Sequence, residues 1–209
     1  MAVITTYASL QENVGFWLAR SNLTSFIPNF VQNWEAKFLR QPRNWGRWME
    51  ASFTGTIASN VLSLPADYLG LKHARIDSSP SSPLDRWSLQ QLYTKYPRNG
   101  CPGVPTRIAR DLETFVFGPE PDSDYDVAGV YYAKPTLIRN FAADAAGHWI
   151  IVNAPDLALY GALLEAAPFD RNDVRIPVWQ GFYNDALQSY RDLNTDEDVS
   201  GSGIMEVLC

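Results

Sequence analysis

The sequence predicts an α+β chain, with terminal helices forming a bundle and a small antiparallel β-rich module inserted between them. Three observations predict it. Apolar residues recur at spacings of three and four near both ends. That period is lost from about Phe53, where short runs rich in Val, Ile and Thr alternate with turn residues. It returns after Pro135. The boundaries read as a helical pair over 1–52, the β-rich module over 53–135, C-terminal helices over 136–198 and a flexible tail over 199–209.

Each element has a local reason. Thr6 reads as a helix cap, and Tyr7, Leu10, Val14 and Trp17 follow at helical spacing to about Ala19. SNLTS breaks the run. A second helix starts near Pro28, carries Val31, Trp34 and Phe38 on one side and ends or bends at Pro42, which gives an antiparallel pair. GTIASNVLSLP holds one or two strands and LGLKHARID another, with Leu64-Pro65-Ala66-Asp67 as a turn. PLDRWSLQQLYTKYP supplies one short helix. Three strands follow over 105–135, with PEPDSD as a polar loop tip.

The C-terminal third begins with NAPDLALYGALLEAAPF, residues 153–169, read as one helix. Asn153 is its expected cap, Pro155 fits the first turn and Asp156 suits the positive end of the helix dipole. Leu157, Tyr160, Leu163 and Leu164 recur at helical spacing and Pro168 stops the run. The alanines and Gly161 keep this helix thin, so another element can pack close to it, and Glu165 is its only charge after the first turn. DVRIPVWQGFYNDALQSYRDLN forms the last helix, with Ile176, Trp179, Tyr183, Leu187 and Tyr190 in phase and Pro177 in the first turn.

A chain of 209 residues can bury one good core. Its net charge of −6 argues against nucleic-acid binding through a general positive field, though not against a local basic patch. Two cysteines, Cys101 in a Pro/Gly-rich loop and Cys209, make neither a disulfide framework nor a zinc spacing. MAVITTYASLQ does not read as a signal peptide, and no apolar run approaches a membrane span.

Chemistry-bearing patterns are sparse. His73 and His148 are far apart in sequence and neither has metal-ligand spacing. His73 reads as a hydrogen-bonded strand residue. There is no nucleophile elbow, P-loop or dinucleotide fingerprint, and Gly201-Ser202-Gly203 reads as a linker. Asp122, Asp124 and Asp126 alternate as in a calcium loop, but the turn glycine and the closing Glu are missing. No catalytic residue, metal ligand or cofactor is assigned.

Two stretches stand out as surfaces. In WEAKFLRQPRNWGRWMEAS, Lys37, Arg40, Arg43 and Arg47 interleave with Trp34, Trp45 and Trp48. This could be an interface or a phosphate-facing patch, or a helix end whose cations complement the helix dipole while the rings fill the core. The tail TDEDVSGSGIMEVLC is acidic at its start, then rich in Gly and Ser, and carries Ile204, Met205, Val207 and Leu208. It reads either as a segment that folds back on its own domain or as an anchor that orders on a partner.

Taken in order, these landmarks resemble the head-to-tail adaptor (connector) proteins of tailed, mainly short-tailed, bacteriophages. TYASLQENVGFWLARSNLTSFIPNFVQNWEAKFLR is similar to that family's opening helical pair. GRWME and LPADYLGL match its next landmarks. PTRIA, FVFGPEP and YDVAGVYYAKP resemble its β-rich middle, and APDLALYGALLEAAPF with DVRIPVWQGFYNDAL its most recognisable part. Residues 74–104 match poorly.

The resemblance implies a structural, non-enzymatic protein of the virion, at the head–tail neck, made in the host bacterial cytoplasm. It would bind below the portal ring, extend the DNA channel and offer a docking platform to tail, nozzle or tail-fibre proteins. Its partners would be the portal, neighbouring copies in a ring of about twelve and double-stranded DNA that passes without sequence-specific binding, but no membrane. Val199, Ile204, Met205, Val207 and Leu208 are the expected portal or inter-subunit contacts. Two other readings stay open: a glycan-binding or glycan-cleaving module using exposed aromatics, and a nucleic-acid module centred on Lys37 to Arg47.

Overall fold

The structure is a computed structural model that describes residues 3–57, 59–97, 100, 102–142, 147–169 and 173–199. The chain divides into two compact units, Met1–Trp48 with Thr136–Cys209 and Met49–Pro135. The first is helical and the second β-rich, so the chain is α+β.

In the helical unit, α1 (Tyr7–Leu18) starts at Thr6, whose hydroxyl accepts from the Ser9 N–H at 3.2 Å while the Ser9 side chain returns to the Thr6 N–H. It ends at Ala19 in a left-handed conformation, φ 54°. The second helix, α2 (Ile27–Leu39), has Pro28 in its first turn and buries Phe30, Val31, Trp34, Glu35 and Phe38. Two short 3₁₀ turns, Pro42–Asn44 and Arg47–Met49, lead out of it.

The helix expected within 153–169 is present, and a shorter helix not expected from the sequence precedes it. The first, α4, spans Trp149–Asn153. The second, α5, spans Pro155–Ala166, and the break falls at Ala154, φ −150° and ψ 59°. Pro155 is the physical reason, because its ring excludes the helical conformation from the residue before it. Asn153 therefore caps nothing: its amide donates back to the Trp149 carbonyl at 2.8 Å. The cap residue of this region is His148, whose side chain accepts from the Ile150 N–H.

Helix α5 is buried nearly all round. Leu157, Ala158, Leu159, Ala162, Leu163 and Ala166 meet α1, α2 and α6, the last spanning Ile176–Val199. A helix apolar on every side needs partners on every side. Both α1 and α2 pack more on α5 than on each other.

The β unit holds two four-stranded sheets. One has the order β1 (Glu50–Ile57), β8 (Tyr125–Ala133), β3 (Tyr68–Ile76), β4 (Ser82–Pro83). The other has the order β2 (Val61–Ser63), β7 (Thr114–Gly118), β6 (Arg107–Asp111), β5 (Asp85–Arg86). The first strand thus starts at Glu50, three residues before the expected change of period. Every pairing is antiparallel except the two-residue β5–β6 ladder, which is parallel.

Strand alternation places the core. Ile57, Leu71, Ile76 and Val127 of one sheet share a cluster with Ile108, Phe115 and Phe117 of the other. Ala109 and Val116 point the opposite way and are covered by Leu92 of α3 (Leu89–Lys95). Gly118 lets α3 come close, since a Cβ there would run into Leu92 and Tyr96.

Candidate assembly surfaces

The basic and aromatic stretch after α2 does not form one continuous surface. Lys37 pairs with Glu165 of α5, 2.6 Å apart. Arg40 Nε donates to the Ala36 carbonyl at 3.0 Å, inside its own helix. Trp45 is half-buried and its indole N–H donates to the Leu39 carbonyl at 2.9 Å, which satisfies an end carbonyl of α2. Trp48 stacks face to face on Trp149, with centroids 3.4 Å apart and planes 6° from parallel, and its N–H donates to the Tyr190 hydroxyl at 2.5 Å. Arg43 and Arg47 are exposed. One face of the Trp48 ring is thus taken by Trp149. None of the seven Trp is exposed, each being buried or half-buried.

The last helix carries two apolar faces where the sequence reading marked one. Inward, Trp179 and Tyr190 are buried and Ile176, Tyr183, Ala186 and Leu187 pack against the helical core. Outward, Pro177, Val178, Gly181 and Phe182 form a second stripe, and Val174 continues it one turn earlier. Val174 is 88 % exposed, Val178 52 % and Phe182 43 %. A Cβ added at Gly181 would meet open space. The Phe182 ring leans toward Tyr160 of α5, at 5.2 Å between centroids. These residues recur at i, i+3, i+4, i+7 and i+8, the pattern of a face made to be covered. That signal was present in the sequence, but it interleaves with the inward stripe and so reads as general hydrophobicity.

A second apolar patch lies at the start of α2. Phe26 and Phe169, 44 % and 55 % exposed, stack at 6.1 Å, and Phe169 also meets the buried Phe30 at 5.3 Å.

One buried electrostatic feature was missed by the sequence reading. Glu35 is 1 % exposed, and both its oxygens accept from the Ile138 N–H, at 3.0 and 3.2 Å. His148 Nε2 lies 3.0 Å from the Thr136 carbonyl oxygen and 3.7 Å from Glu35, while Nδ1 accepts from Ile150 N–H at 3.4 Å. These contacts assign the neutral imidazole with its proton on Nε2. Burial pushes the Glu35 carboxyl up to about 7, opposed by the Ile138 hydrogen bond and by Arg139. Burial also lowers the His148 pKa, opposed by the Thr136 hydrogen bond. The pair fastens the start of the 136–148 segment to α2.

The other singled-out residues have structural partners or lie outside the described set. His73 lies in β3. Asp122 accepts from the Tyr125 hydroxyl and Asp126 from Thr56, both at 2.6 Å. Among the described residues no group of three or more His, Cys, Asp or Glu could hold a metal ion. No helix among them is long and apolar enough to cross a membrane. Val199 closes α6, while Ile204, Met205, Val207 and Leu208, with Cys101 and Cys209, lie outside the described residues.

No curated protein matches the chain. A family model does, over residues 5–205, which takes in both units: the chain belongs to the SU10 adaptor protein family, a family of phage adaptor proteins.

Proposed function

We propose that this phage adaptor binds below the portal ring, extends the DNA channel and provides the docking platform for tail or nozzle proteins, in a ring of about twelve copies. The observation that carries this reading is the two-faced helix α6. Its inward stripe completes the core, and its outward stripe, from Val174 to Phe182, is apolar surface that a single chain leaves uncovered. Neighbouring copies would cover it. The tail residues Val199, Ile204, Met205, Val207 and Leu208 serve as the portal or inter-subunit anchor. The net charge of −6 keeps DNA from adhering to the ring as it passes.

The test is native mass spectrometry of the chain alone and mixed with the portal protein encoded by the same genome. The expected product is a complex with about twelve copies per portal ring. A chain that stays monomeric and leaves the portal unbound would overturn the reading.

A further inference from the structure

The helical unit contains a cavity of about 310 Å³ on the C-terminal half of α6, lined by Arg47, Trp48, Asn153, Tyr190, Leu193 and Asn194. Its wall is rigid. Trp48 is held between its stack on Trp149 and its hydrogen bond to Tyr190, and a Cβ on Gly46 would strike both Trp48 and Asn194. Its chemistry is incomplete in three ways. Leu193 is 54 % exposed. The Asn194 side-chain N–H₂ is buried and has no hydrogen-bond partner. The exposed Arg47 has no ion-pair partner among the described residues. These features suit an extended apolar segment that also carries a negative charge for Arg47.

We propose that in the isolated chain this cavity takes the chain's own C-terminal segment, 204–208. Ile204 and Leu208 cover Trp48 and Leu193 from the same side of the extended segment as Glu206, which meets Arg47. The reach is sufficient. Leu193 lies six residues before the end of α6 at Val199, about 9 Å along the helix axis. Glu206 lies seven residues beyond it, a span of up to about 24 Å when extended. Gly201 and Gly203 allow the reversal of direction. Seated there, the apolar segment stays covered until a partner offers a better surface. The proposal concerns the free chain and stands apart from the ring reading.

Cys209 supplies the probe. In full-length Cys101→Ser protein, Leu193→Cys puts a thiol on the cavity rim. Thr195→Cys puts one on the exposed opposite side of the same turn, two residues nearer the tail. Under oxidised glutathione, Leu193→Cys should form an intramolecular disulfide with Cys209 about ten-fold faster than Thr195→Cys, although simple reach favours the latter. Arg47→Glu and Glu206→Arg, each added to Leu193→Cys, should slow trapping, and the two together should restore it, with unfolding midpoints showing that every variant is folded. Equal rates at 193 and 195 would overturn the proposal. So would failure of the charge swap to restore trapping, or a disulfide-linked dimer as the main product, which would seat the segment on a second copy.

Discussion

Gly161 of α5 lies against the indole of Trp34 in α2, so closely that a Cβ at 161 would collide with the ring atoms. The thin helix legible in the sequence is thin for this contact. Gly161→Ala is therefore expected to destabilise the helical unit by about 1–3 kcal/mol, the usual cost of overpacking a filled core. Urea unfolding measures it. Adding Trp34→Phe should recover part of the loss, so the pair should be non-additive. Additive effects would separate the two residues.

The buried Glu35 carboxyl makes stability depend on pH in a fixed direction. Its folded pKa, about 7, lies above the ordinary 4.5. The folded state therefore holds the proton more tightly. The associated stability is complete below about 4.5 and is lost as pH rises through 7, by on the order of 3 kcal/mol. His148 acts oppositely: its lowered pKa gives stability that is lost as pH falls below its ordinary 6.5. Glu35→Gln keeps an acceptor for Ile138 but cannot ionise. The stability of the native chain relative to Glu35→Gln should fall between pH 4.5 and 7.5 in denaturant titrations. A difference that does not change with pH would contradict the assignment.

The outward stripe of α6 can be tested without touching the core. Val178→Asp and Phe182→Asp place charges on exposed positions, so each should shift unfolding by about 1 kcal/mol or less. Both should abolish or strongly weaken copy-to-copy and portal association in native mass spectrometry. Gln180→Asp, exposed on the same helix, is the control that should assemble normally.

The residues of the basic and aromatic stretch should behave unequally. Trp48→Ala removes the stack on Trp149 and one hydrogen bond to Tyr190, with an expected cost of about 3 kcal/mol. Arg43→Ala removes an exposed side chain and should stay within about 0.5 kcal/mol. DNA affinity that depended steeply on salt and fell with Arg43→Ala would instead support a phosphate-facing patch.

Deleting Val199–Cys209 should lower the unfolding midpoint of the domain only slightly, by the loss of the seated segment, since Tyr190 is the last buried core residue among those described. Incorporation into particles should drop sharply. Unchanged incorporation would remove the tail from the assembly contacts.

Some features were legible in the sequence because they depend on near neighbours. Thr6 caps α1 through a residue three positions away, and Pro28 sits in the first turn of α2. The three strands between 105 and 135 follow from apolar runs and turns. Others were not legible. Pro155 opens α5 as its position suggests, but the short helix α4 was not legible, because the four apolar residues Trp149–Val152 are too few to show a period and Asn153, its last residue, resembles a cap for the next helix. Glu35 looked like one of many scattered carboxylates, since its partner Ile138 lies 103 positions away.

The order of helical and β-rich segments, the likeness to phage adaptors and the poverty of catalytic patterns were all determined by the sequence itself. Periodicity, turn chemistry and motif order are properties of adjacent residues, and they survive without knowledge of the fold. Tertiary structure alone decided which faces meet. It set Trp34 against Gly161, stacked Trp48 on Trp149, buried Glu35 beside His148 and turned a second apolar stripe of α6 toward solvent. Those outcomes come from packing between residues far apart in the chain, where the burial available to each side chain depends on every other element at once.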